Sequence, residues 1–163
     1  MDIIKDDLWK YTFHEVAEKY GFNDGMRRHY QERLKTLPLD FDIEVYEDYH
    51  DLRLMELPMY LVTSGTTSVQ ERKIDALEIR DDFIEVHIDD RNLYPGGKKR
   101  IFTDLINENR WSPDQLLVVG DNILSEIKAA RELSIPWLQI DRSMPMDLTN
   151  NRIQSLTEIA GFI

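Results

Sequence analysis

A chain of 163 residues is the size of one domain with a genuine apolar core, able to bury roughly two-thirds of its extended surface. With no cysteine it has no disulfide framework, no thiolate metal site and no cysteine nucleophile. A formal net charge of −11 disfavours nonspecific contact with nucleic acid or an anionic membrane, no apolar run reaches the roughly 18 residues of a membrane span, and the first residues lack a secretory signal, so a cytoplasmic protein is expected.

The front third reads as helical. Trp9, Phe13, Val16, Ala17 and Tyr20 recur at three- and four-residue steps, Gly21 is a stop, and a second helix is predicted from about Asp24 to Leu34. Pro38 marks a connector, and a short helix around Tyr46 to Met55 leads into Pro58. Beyond Pro58 the rhythm changes. Apolar runs at Met59–Val62, Phe83–Ile88, Leu116–Val119 and Trp137–Ile140 alternate with helical patterns at Val69–Leu77, Ile101–Ile106 and Ile123–Leu133, the last with Ile123, Ile127 and Ala130 on one face. Ser155 and Glu158 have the spacing of a capping box before a last short helix. The expectation is an α/β fold, a Rossmann-like parallel sheet flanked by helices, with a helical cap-like segment over 1–56 and the α/β core over 57–163.

In an open parallel sheet the ligand crevice lies beyond the carboxyl ends of the strands. The first run ends in Thr63, Ser64, Gly65, Thr66, Thr67 and Ser68, whose amides and hydroxyls either hold phosphate oxygens or cap the next helix. The third ends in Gly120, Asp121 and Asn122, with Glu126 close behind. These two acids either face the crevice, where hard carboxylate oxygens suit Mg²⁺, or serve the start of a helix. Between the two stations, Gly96, Gly97, Lys98, Lys99 and Arg100 open another helix, where a lysine either enters the crevice or stays solvated. His14, His29, His50 and His87 show no metal-ligand spacing.

Together these stations resemble the haloacid dehalogenase-like (HAD) hydrolase superfamily. Leu61–Gly65 is similar to its second motif, Lys98 to its third, and Val118–Asn122 through Glu126 to its fourth. The resemblance implies a Mg²⁺-dependent phosphatase of small phosphorylated metabolites. In that role Thr63 hydrogen-bonds the transferring phosphoryl group, with Ser64 and Gly65 completing the phosphate site. Lys98 balances charge, and Asp121 binds Mg²⁺ with Glu126 in support. Glu126 stands where relatives often have aspartate, and Lys99 is the other candidate for the lysine.

The family's first motif, an apolar strand ending in Asp-x-Asp whose first carboxylate attacks phosphorus, has no clear counterpart. Asp40-Phe41-Asp42 follows Pro38, and proline cannot donate to a central ladder. Ile3 to Asp7 has too short an apolar run, with its acids adjacent rather than alternating. The chain is therefore expected to be inactive or incomplete as it stands, either a downstream part of a longer enzyme or a natural variant. The alternative function is a non-catalytic binding or assembly module on the same scaffold. The expected partners are a small phosphorylated molecule and either a second copy of the chain or another protein supplying the missing central strand, a place Ile3 and Ile4 are also candidates to fill.

Overall fold

The computed structural model describes residues 4, 7, 11, 13–36, 43–91, 93, 95–145, 147 and 150–163. They fall into two units, Met1–Ile43 with Tyr60–Gly97, and Glu44–Met59 with Lys98–Ile163.

In the first unit, helix α1 (Phe13–Lys19) buries Val16 and Ala17 completely. It stops where the sequence predicts. Gly21 takes φ +64°, the Gly21 N–H donates to Glu18 O at 3.2 Å and the Phe22 N–H to Ala17 O at 2.8 Å, the double hydrogen bond of a Schellman cap that a glycine accommodates without strain. The Asn23 side chain then accepts from the Met26 N–H at 2.9 Å and starts α2 (Asp24–Thr36). Phe13 meets Phe22 edge-on at 6.0 Å and stacks on Tyr30 at 3.7 Å, so one aromatic cluster joins the two helices. Ile4 and Asp7 have helical backbone, which corrects the thought that Ile4 enters the sheet as a strand. Asp7 is buried and accepts from Lys19 Nζ at 2.5 Å and Tyr20 OH at 2.9 Å. Ile3, Asp6, Pro38 and the Asp40–Asp42 pair lie outside the described residues.

Strand β1 (Tyr60–Ser64) pairs in parallel with β2 (Glu85–Asp89), Tyr60 opposite Glu85 through to Ser64 opposite Asp89, with α4 (Thr67–Ala76) in the crossover packed against α2. Helix α3 (Glu47–Leu54), between α2 and β1 in the chain, lies in the second unit.

The second unit carries α5 (Gly97–Asn109), whose first residue is counted with the first unit, then β3 (Val118–Gly120), α6 (Lys128–Glu132), β4 (Trp137–Ile140) and β5 (Arg152–Ile153). The sheet order is β3-β4-β5, parallel throughout. Its core is Leu138, Ile153 and Ile159, each at most 4% exposed, with Leu52, Val119, Ile140 and Leu156 against them. Burying each of the three contributes about 2 kcal/mol.

Asp48 ties α3 to this core. It accepts from both Nη atoms of Arg142 at 2.5 and 3.0 Å and from the Leu156 N–H at 2.9 Å, while the Arg142 guanidinium lies 3.9 Å from the centre of the Tyr46 ring. The last helix, Leu156–Gly161, is a 3₁₀ helix. Ser155 Oγ caps it through the Thr157 N–H at 3.3 Å, and Glu158 reaches the Gln154 N–H at 3.1 Å, one residue earlier than a capping box requires.

One element departs from the predicted pattern. Ile123–Ile127 is a π turn, with the Ile127 N–H donating to Asn122 O at 3.4 Å and the Lys128 N–H to Ile123 O. The extra residue in the turn breaks the three-to-four step, so Ile123 is 48% exposed while Ile127 and Ala130 are fully buried. The protein is α/β, parallel strands joined through helices behind a helical front segment, as expected.

Candidate functional site

The first unit holds Thr63, Ser64 and Gly65 at the carboxyl end of β1. Gln70, on the first turns of α4, clamps the bend: Thr63 Oγ1 donates to Gln70 Oε1 at 3.3 Å and Gln70 Nε2 donates to Ser64 O at 3.2 Å. Gly65 sits at φ +144°, which favours glycine, and a Cβ there would meet Gln70 Nε2 at 2.5 Å, so a side chain would displace the Gln70 amide from the bend. The Gly65 N–H donates to Asp89 O at 3.2 Å, which fastens the bend to the end of β2.

That strand end supplies three residues that the sequence reading passed over. Asp89, 1% exposed, accepts at its Oδ2 from Ser64 Oγ at 3.1 Å and from Arg91 Nε at 3.2 Å. Asp90, 4% exposed, accepts at its Oδ2 from the Thr67 N–H at 2.8 Å and from Thr67 Oγ1 at 3.0 Å. The amino end of α4 is thus met by the Asp90 carboxylate just past β2, the favourable sign for a helix dipole. Thr66, the residue at the N-cap position, makes no side-chain cap. The rule applied to the other strand ends finds these residues too, because Asp89, Asp90 and Arg91 follow directly on the apolar run ending at Ile88.

The second unit holds Lys98, Asp121 and Glu126. Lys98 Nζ donates to Glu126 Oε2 at 2.7 Å, and the Asn122 N–H donates to Glu126 Oε1 at 2.8 Å, so both oxygens of this buried carboxylate are engaged. The π turn delivers Glu126 inward, and β3 ends in glycine to receive it: a Cβ on Gly120 would lie 2.3 Å from Glu126 Cγ. Burial acts to raise the Glu126 carboxyl, but the charge and hydrogen bond of Lys98 and the Asn122 N–H outweigh it and hold the group below the usual carboxylate range. Lys99 points elsewhere. It is half-exposed and pairs with Glu132 at 2.8 Å.

Asp121 is exposed, and its carboxylate has no partner among the described residues, while its carbonyl accepts from Gln139 Nε2 at 3.4 Å. An unpaired hard oxygen donor of this kind fits one coordination position of Mg²⁺, an ion that usually takes one or two carboxylates together with water and phosphate oxygens. Glu126 fits a direct ligand role less well while Lys98 and the Asn122 N–H occupy it. Among the described residues no group of three His, Cys, Asp or Glu forms a ready-made metal cage.

A family model for haloacid dehalogenase-like hydrolases matches residues 13–133. Among solved structures the chain is similar to YfnB of Bacillus subtilis, described as a HAD-hydrolase and bound to magnesium, at 18% identity over 98% of this chain and 79% of that one, with a TM-score of 0.64. A HAD phosphatase from Thermococcus onnurineus matches at 17% identity over 93% of this chain and 70% of its own, TM-score 0.58. A protein from Thermotoga maritima described as a β-phosphoglucomutase matches at 13% identity over 99% and 82%, TM-score 0.65. No curated protein matches in sequence.

Proposed function

The chain belongs to the haloacid dehalogenase-like hydrolase family, and from that premise we propose that it binds small phosphorylated metabolites with the residues of a Mg²⁺-dependent phosphatase, apart from the nucleophile. Thr63, at the Ser64–Gly65 bend, hydrogen-bonds the phosphoryl group, its hydroxyl exchanging Gln70 Oε1 for a phosphate oxygen. Lys98 offsets its charge, and Asp121 takes Mg²⁺, which when bound would neutralise phosphate oxygens. Glu126 serves by holding Lys98.

The observation carrying this reading is the Lys98–Glu126 pair. An ammonium fixed by one short hydrogen bond retains two further donors for an anion. Its carboxylate partner is in turn fixed by the Asn122 N–H, so the cation is held in place before any ligand arrives.

No acid among the described residues ahead of α3 ends a strand, and we expect little or no turnover from these 163 residues. The test is hydrolysis of p-nitrophenyl phosphate with and without Mg²⁺. Robust Mg²⁺-dependent turnover that disappears in Asp121→Asn would establish a working phosphatase and overturn the expected inactivity.

A second reading, a non-catalytic binding or assembly module, is favoured by the strands themselves. Among the described residues β1 pairs only with β2 and β3 only with β4, and every residue of β1 and β3 is just partly buried. A further strand from another protein or a second copy would satisfy such an edge. Light scattering showing a stable oligomer, with phosphate binding but no hydrolysis, would support this module over the enzyme.

A further inference from the structure

Arg91 and Asp89 form an incomplete ion pair. An arginine committed to a carboxylate normally lays two N–H groups across both oxygens. Here only Nε is used, on Oδ2, at 3.2 Å. Among the described residues Asp89 Oδ1 is buried without a partner and neither Nη of Arg91 has an acceptor, although the arginine side chain is 33% exposed. A buried acceptor left unmet beside donors left unmet requires an explanation. The pair is oriented for something other than its own completion.

The surroundings indicate what. Ser64 Oγ donates to the same Asp89 oxygen at 3.1 Å, so the guanidinium stands no more than two hydrogen bonds from the phosphate-binding bend proposed above. The Nε–Nη2 side of the guanidinium lies over Gly97, where a Cβ would come within 2.6 Å of Nη2 and 3.3 Å of Nε, and Gly97 is at φ +65°. Glycine at this position keeps the space that the guanidinium fills. Asp89 holds Nε from the buried side, and the two Nη groups, without an acceptor among the described residues, are left for a planar anion.

We propose that Arg91, positioned by Asp89, binds a carboxylate on the organic part of the phosphorylated ligand, making that ligand a phosphorylated carboxylic acid. The inference rests on the phosphate role of the Thr63–Gly65 bend, and the experiment separates the two. Two non-hydrolysable probes that differ by one carboxylate, methylphosphonate and phosphonoacetate, are titrated calorimetrically into the full chain in Mg²⁺. Phosphonoacetate is expected to bind about tenfold tighter or better, as befits one charge-assisted bidentate contact. Arg91→Ala should erase that advantage without weakening methylphosphonate, and Arg91→Lys should restore part of it. Thr63→Val should weaken both probes alike.

Equal affinities in the wild type overturn the proposal, as does an Arg91→Ala variant that loses both probes together or retains the preference. Those results leave the phosphate bend standing when Thr63→Val still weakens both. Absence of binding by either probe, or binding indifferent to Thr63, overturns the phosphate role and this inference with it. Circular dichroism melting of Arg91→Ala and Arg91→Lys separates loss of binding from loss of fold.

Discussion

Lys98 and Glu126, 28 positions apart in the chain, meet at 2.7 Å with side chains only 12% and 7% exposed. Removing one partner leaves the other charge buried and uncompensated, which costs about 3 kcal/mol or more, whereas removing both is far milder. Lys98→Met and Glu126→Gln should each lower the urea unfolding midpoint, and the double variant should lose clearly less than the sum of the two. Additive losses would show that the pair carries no coupling.

The same contact predicts an acid-side loss of stability. The folded pKa of Glu126 is depressed by Lys98 and the Asn122 N–H against the opposing effect of burial. Its contribution is therefore complete above the unfolded glutamate value of about 4.3 and disappears as pH falls through the lower, folded value. Asp48 is depressed in the same sense, the Arg142 guanidinium and the Leu156 N–H overcoming its burial. Urea midpoints measured down through this range should fall, and Glu126→Gln and Asp48→Asn should each flatten part of the slope. Identical slopes in all three proteins would remove these groups as the cause.

Gly120→Ala tests how closely β3 and the π turn fit. The new methyl would overlap Glu126 Cγ at 2.3 Å and Oε1 at 2.5 Å. Overpacking of this kind costs typically 1–3 kcal/mol, and here it should also release Lys98 from Glu126. Thermal melting checks the first effect, and a shift of the Lys98 ammonium resonance in NMR checks the second. An unchanged protein would mean that Glu126 moves aside freely.

Asp121→Asn should be nearly silent for folding, because the side chain is exposed and has no partner among the described residues. Its effect should be confined to Mg²⁺. A wild-type melting temperature that rises with added MgCl₂, against a flat response in Asp121→Asn, is the expected pair of results. Equal rises in both proteins would place the ion elsewhere.

Much of the architecture was legible because it is written in local periodicity. Four apolar runs became four strands, Gly21 ended α1, and the residues flanking each run marked the strand ends. Strand β5 escaped notice because two residues, Arg152 and Ile153, are too short to show alternation. The π turn escaped because the step Ile123, Ile127, Ala130 looks the same whether the first residue faces inward or outward.

From the linear order of residues alone came the family's motifs, the fold class and the candidate positions Thr63, Lys98 and Asp121. Packing alone decided that Lys98 and not Lys99 turns toward Glu126, that Gln70 clamps the Thr63–Gly65 bend, and that Asp89 leaves half of Arg91 unused. The reason is physical. Periodicity reports which face of an element is apolar, but the partner of a polar side chain many residues distant depends on how that element is rotated and set in depth against its neighbours, quantities that no single segment encodes.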